Sequence, residues 1–470
     1  METANTRIEI DSLGEVNVPA DSYFGAFTVR ASQNFPISGE VAPKSFLKAI
    51  AQVKLASLYA NYELQDISDA QKQAIETAIQ EFIEGKFDKY YIVDVYQAGA
   101  GTTYNMCFNE IIANRANELM GGKLGEYSLV HPNNHVNMSQ STNDVIPAVT
   151  RVAILNELPK LIEACDKLLS TLKQKVEIYK DVVKVGRTHL QDAVPVTFGQ
   201  SFLSYHDALA KSKNLVSELA KRLTVSGLGG TALGTGINTD PNYQALVTKH
   251  LSAITGHQFT MANCNTEISN NMNSFMDFHA GLRSLATNLI NLSSDLKLMV
   301  MGPLAGINEI TIPAVQPGSS IMPGKINPSI LECLDMIAFA VLGNDQALLH
   351  CSSRSHFELN IYCPLIMLKT LDSLNLLTNG IKMLETETIS GLVVNVEHVQ
   401  KTYLESLCDG TALAPYLGYN QTAAVIKAAL AEKRTLREQV LKDNLLTKEQ
   451  LDQILTVERL TAPKAKLREL

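Results

Sequence analysis

Between Phe275 and Met299 the chain places large apolar residues at 275, 278, 282, 285, 289, 292, 296 and 299. The steps alternate three and four without a break. Only a helix returns side chains to one face at that spacing, and the alternation is the seam of helices packed lengthwise. Asp277, Arg283, Asp295 and Lys297 are the only formal charges in the stretch, and Ile290 and Leu298 are apolar off the seam. A helix apolar on several faces is expected to be buried on several sides. Either the core of one large domain or a bundle shared between subunits fits this. The length favours the second, because such a helix overruns a single globular core.

Helical periodicity recurs elsewhere. Ser68 and Gln71 have the spacing of a capping box, and Ile75, Ile79, Phe82 and Ile83 follow on one face until Gly85. A long helix is expected between Asp144 and Asp181, and another from about Gly199 to Leu223. Strand-like alternation is confined to short pieces near the start, such as "TRIEIDSLGEVNVPA". No internal repeat is visible. After about residue 395 charge density rises, and "EKRTLREQVLKDNLLTKEQLDQIL" reads as a small separate helical domain.

The bulk numbers exclude several classes. With 470 residues, 46% hydrophobic, the chain can bury a large core and hold two or three domains. A net charge of −8 argues against general affinity for nucleic acid or anionic membrane. Seven cysteines without a CxxC pair predict a reducing, cytoplasmic setting, with neither a disulfide framework nor a zinc site. "METANTRIEIDSLGEV" lacks a basic region followed by an apolar run, so no signal peptide is expected. No segment has the roughly 18 apolar residues that a membrane span requires.

Between the helices lie loops rich in Gly, Thr, Asn and Ser: "AGAGTTYNM", "NMSQSTNDVIP", "VGRTHLQDAVP", "GGTALGTGINT" and "GSSIMPGKINP". Each alone reads as a turn or a helix cap. Together they offer many neutral donors, one histidine and one lysine, with Asp144 and Asp192 as the only carboxylates. That composition suits an anionic substrate with more than one carboxylate. "GLGGTALGTG" lacks the Lys-Ser/Thr ending of a phosphate loop, no HExxH is present, and no GxSxG elbow supports a serine hydrolase. His131 and His135 have no acidic partner at ligand spacing, so no metal site is expected.

"GSSIMPGKINP" (318–328) closely resembles the signature of the fumarase/aspartase superfamily. "QAGAGTTYNMCFNEIIANRA", "HVNMSQSTNDVIP", "GRTHLQDAVPVTFGQ" and "GTALGTGINTDPNY" resemble that family's other landmarks, in the same order, across essentially the whole chain. The resemblance implies a mainly α, three-domain fold: a mostly helical segment 1–142, a central long-helix bundle 143–395 and a small helical domain 396–470. It also implies a homotetramer built on a shared bundle, with active sites shared between subunits, and no cofactor.

By the same resemblance the reaction eliminates a group from a succinyl skeleton to give fumarate, through a dianionic aci-carboxylate. Ser319 is then the general base. Thr102, Ser141 and Thr142 match positions around the carboxylate beside the acidic proton. Asn143, Thr188 and His189 match those near the leaving group and the other carboxylate, which Lys325 and Asn327 would hold with Ser320 alongside.

Within the family, "NFPISG" (34–39), Thr142 in "QSTND", Val194 in "DAVP" and the "LLTKEQLDQIL" tail lean toward aspartases, which release ammonia from L-aspartate. Class II fumarases, which hydrate fumarate to L-malate, are the alternative, and a catalytically inert relative the third. Phe27, Tyr104, Cys107, Arg354 and His356 depart from the family's usual residues. Tyr104 and Cys107 are expected beside the substrate threonine, where they bear on the leaving group.

Overall fold

Apolar stripes at helical spacing become long helices in the computed structural model, which describes residues 5–463. The first four residues of the N-terminal stretch read above lie outside them. Five helices carry the architecture: Thr142–Ile178, Phe198–Ala220, Asn273–Met299, Ser329–Ser352 and Cys363–Leu384. Contacts group the chain into two compact units, neither contiguous in sequence. One takes the chain up to Ile162 with Lys213–Ala286 and Phe339–Thr378. The other takes Glu163–Ser212, Thr287–Ala338 and the chain from Asn379 onward. Each of the five helices contributes a segment to both units.

The seam from Phe275 to Met299 is buried at every position. Burial on several sides is not what one chain shows: Ile290 is half-buried and Leu298 is 37% exposed. The Ser329–Ser352 helix likewise leaves Met336 64% and Phe339 57% exposed. A single chain thus covers one face of these helices and leaves apolar residues on another.

In the first unit, β1 (Thr6–Asp11) and β2 (Gly14–Pro19) form an antiparallel hairpin with Thr6 opposite Pro19. The Lys44–Glu63, Asp69–Ile83 and Thr102–Leu119 helices pack beside one another, the second opened by the Ser68–Gln71 capping box. In the second unit, β3 (Val183–Thr188) and β4 (Gln191–Thr197) form another antiparallel hairpin. The C-terminal helices close over a core of their own, built from Leu413, Val425, Leu436, Val440, Leu451 and Ile454. No helix among the described residues is long and apolar enough to cross a membrane.

The "NFPISG" loop is shaped by one carboxylate in the first unit. Asp94 accepts from the amides of Ile37 (3.2 Å), Ser38 (2.7 Å), Gly39 (2.8 Å) and Tyr96 (2.8 Å), and from Ser38 Oγ (2.9 Å). Burial works against its ionised form, but the donors of Tyr96, Gly39 and Ser38 outweigh it and hold the carboxyl down to about 2. Unfolded, the same group titrates near about 3.9. Between those values the unfolded chain binds more protons, so this contribution is present above about pH 4 and is lost as pH falls toward 2. Asp94→Asn is expected to cost about 1–3 kcal/mol at pH 7, because an amide group then faces donors. Denaturant melts should show the gap from wild type closing below about pH 4. A gap independent of pH would exclude the charge as its cause.

Candidate active site

The loops read as chemical fall into two groups, one per unit. In the first, Gly99, Ala100 and Gly101 all have positive φ and turn the chain into the N-terminus of the Thr102–Leu119 helix. A Cβ on Gly101 would lie 2.8 Å from Ile146 Cγ1, so only glycine lets this turn pack on the Thr142–Ile178 helix. Thr102 Oγ1 donates back to Gly99 O at 2.6 Å.

Ser141 to Asp144 form the start of the Thr142–Ile178 helix. Ser141 Oγ accepts from the Asn143 amide at 3.3 Å, and Asn143 Nδ2 donates to Ala232 O at 2.9 Å. Asp144 does more than cap. Its Oδ1 accepts from the Ser141 amide (2.9 Å), and its Oδ2 from the Gly229 (3.1 Å) and Thr231 (3.0 Å) amides. One buried carboxylate thereby stitches the "QSTND" and "GGTALGTG" loops together. Burial pushes its pKa up, opposed by those amides and by the positive charge of Lys54.

Lys54 lies beneath these loops and is only 1% exposed. Burial pushes its ammonium pKa down, against the pull of Asp144. Nζ donates to Asn137 Oδ1 at 2.9 Å, and the same oxygen accepts from Asn105 Nδ2 at 3.0 Å and Asn109 Nδ2 at 3.3 Å. Asn105 Nδ2 also reaches Thr142 Oγ1 at 3.2 Å. Sequence reasoning passed over Lys54, Asn105 and Asn137. The available signal was a lysine inside the otherwise apolar run "AIAQVKLASLYA".

Tyr104 and Cys107 share the Thr102–Leu119 helix with Thr102, the threonine they were expected to stand beside. Both are fully buried on the core face of their helix, with Phe108 and Ile111, and Tyr104 packs on Phe46. Phe27 is half-buried, and Arg354 and His356 are exposed.

In the second unit, the signature loop is braced across its ends. The Gly318 amide donates to Lys325 O at 2.8 Å, and Asn327 Nδ2 donates to Gly318 O at 2.8 Å. A Cβ on Gly318 would lie 2.6 Å from Lys325 O, which excludes any other residue without opening the brace. Inside the loop, Ser319 Oγ accepts from the amides of Ile321 (3.2 Å) and Met322 (3.0 Å). Ser320 and Lys325 are exposed, and Lys325 has no ion-pair partner among the described residues. Ser319, Met322 and Lys325 line a cavity of about 530 Å³.

Thr188 and His189 are carried by the β3–β4 hairpin, where the sequence suggested only a loop. Its two-residue turn, His189-Leu190, has φ of 55° and 60°. Left-handed conformations cost an ordinary residue roughly 1–2 kcal/mol each, so the turn holds stored strain at a candidate site residue. Glu309, 2% exposed, anchors the hairpin through Lys184 and Arg187, each 2.7 Å away. Thr188 and His189 line a cavity of about 820 Å³ with Lys184, Arg187, Tyr205 and Asp295, and it shares no residue with the Ser319 cavity.

Among the described residues, no group of three His, Cys, Asp or Glu side chains is placed to hold a metal ion. What the loops offer is neutral donors, a loop lysine and a hydroxyl whose lone pairs face amides. That set binds carboxylates and stabilises negative charge as it develops.

Comparison with known proteins agrees with this architecture. Residues 14–343 match the lyase family and residues 411–462 the fumarase C C-terminus. An aspartate ammonia-lyase from Bacillus sp is 39% identical over 98% of this chain and 98% of its own. A class II fumarate hydratase from Brucella suis biovar 1 (strain 1330) is also 39% identical, over 98% of this chain and 100% of its own. The crystal structure of a fumarate lyase:delta crystallin from Brucella melitensis superposes with a TM-score of 0.94 at 38% identity, covering 97% of this chain and 100% of that one. With landmarks, fold and full-length similarity in agreement, the chain belongs to the fumarase/aspartase superfamily of lyases.

Proposed function

We propose that this chain reversibly eliminates ammonia from L-aspartate to give fumarate. The observation that carries the elimination is Ser319: its Oγ accepts two backbone N–H groups in a glycine-hinged loop beside an unpaired lysine. Those dipoles stabilise the serine as an alkoxide, which a proton beside a carboxylate requires of its base.

In this reading Ser319 takes the proton from the carbon next to one carboxylate. The C–H electron pair becomes the double bond as the C–N bond breaks and its electrons leave with ammonia. Thr102, Ser141 and Thr142 hold the carboxylate that gathers charge. Asn143, Thr188 and His189 serve the leaving amine, and Lys325, with Ser320 and Asn327, the remaining carboxylate. Asn327 meanwhile keeps the loop closed through Gly318 O. No cofactor is invoked. The division at 142/143 and 395/396, and a homotetramer with sites shared between subunits, belong to the same reading. The exposed Leu298, Met336 and Phe339 support the shared bundle.

The leaving group rests on "NFPISG", Thr142, Val194 and the C-terminal tail, which resemble aspartases. Hydration of fumarate to L-malate is the second reading, supported by the equal identity to a class II fumarate hydratase. Fumarate's ultraviolet absorbance separates them. It is expected to rise with L-aspartate and not with L-malate. A rise with L-malate alone would replace ammonia by water, and none with either would support an inert relative or another substrate.

A further inference from the structure

In its charged form, which the nearby Asp144 carboxylate favours against burial, Lys54 can only donate, and Nζ donates to Asn137 Oδ1. That fixes which end of the Asn137 amide faces the interior; its Nδ2 turns to Gln140 O at 3.3 Å. Facing an oxygen, Asn105 must in turn present Nδ2, and it presents the same group to Thr142 Oγ1. Asn105 Oδ1 and Asn109 Oδ1 are left buried without a donor, so the orientation holds against the satisfaction of their own oxygens. A threonine hydroxyl has one proton. When Thr142 Oγ1 accepts from Asn105, that proton stays available for the site.

We propose that Lys54 is a positioning residue that, through Asn137 and Asn105, makes the Thr142 hydroxyl a hydrogen-bond donor toward the substrate carboxylate. The inference rests on the elimination reading above. Without Lys54 the two amides are free to reverse, Thr142 spends its proton on Asn105 Oδ1, and its lone pairs then face a carboxylate. Charge on that carboxylate grows toward the transition state, so the loss falls on kcat more than on KM.

The test is a double-mutant cycle with Lys54→Met and Thr142→Val. Because Thr142 serves either leaving group, the cycle is read on whichever of L-aspartate and L-malate the wild type turns over. We expect Lys54→Met to lower kcat about tenfold or more with KM within about threefold. Thr142→Val should lower it further, and the double variant should be no worse than Thr142→Val alone. Lys54→Arg, also a pure donor, should recover most of the loss. Asn105→Asp leaves Lys54 in place but turns an acceptor to Thr142, and should reproduce the Lys54→Met defect even if that variant fails to fold.

Multiplying losses in the double variant, wild-type kcat in Asn105→Asp, or full activity in Thr142→Val would overturn the proposal. The last would also remove Thr142 from the site, whereas the first two leave the elimination reading intact. A wild type inert toward both substrates would overturn the reading and this inference with it.

Discussion

Ser319→Ala is expected to lower kcat by about 10² to 10⁴, the usual cost of losing a general base, while KM for L-aspartate changes only a few-fold. The hydroxyl contributes little to the fold. It accepts only the Ile321 and Met322 amides of its own loop, both exposed residues whose amides water can serve instead. The brace between Gly318, Lys325 and Asn327 does not involve it. Stability should therefore stay within roughly 0.5 kcal/mol of wild type. Paired kinetics and thermal melts check both halves. A purified, folded Ser319→Ala protein with near-normal turnover would end the serine-base mechanism.

The second large effect concerns assembly. Thr188 and His189 line one cavity and Ser319 and Lys325 another, with no lining residue in common. In the proposed homotetramer, a site shared between subunits would supply proximity by bringing loops from different chains together. His189→Ala and Ser319→Ala chains, each inactive alone, should therefore regain activity when mixed under reversible dissociation. With random assortment and the two loops drawn from different chains, about one site in four receives both native residues, so recovery near a quarter of wild-type activity is expected. Heterotetramers confirmed by mass that remain inactive, or a monomer that turns over normally, would contradict shared sites.

Much of this was legible in the sequence where a period or cap decides the structure. The 275–299 seam specified a helix and its buried face, and Ser68 with Gln71 set a helix start. The second buried side expected of that helix was not legible as such, because composition cannot say whether apolar residues are covered by the same chain or another. The β3–β4 hairpin was missed because its turn uses His189 and Leu190 at positive φ, where the usual signal is Asn-Gly. The burial of Tyr104 and Cys107 was not read from the sequence, although 104, 107, 108 and 111 follow helical spacing into the core.

The candidate residues were found through loop composition and family resemblance, and their supports were not. Lys54, Asn105, Asn137, Asp94 and Glu309 act through partners distant in sequence, and all but the half-buried Asn137 break the local rule for burial of their residue type. A lysine inside an apolar helix reads as an interruption until the fold shows the carbonyl it donates to. Likewise, nothing near Glu309 in sequence announces that it anchors Lys184 and Arg187.

The central claim is elimination of ammonia from L-aspartate, and the ammonium released per fumarate formed tests it most directly. Wild-type protein given L-aspartate alone is expected to release the two in a one-to-one ratio, and given fumarate with ammonium to form L-aspartate. Fumarate appearing from L-malate with no ammonium released from L-aspartate would contradict the account.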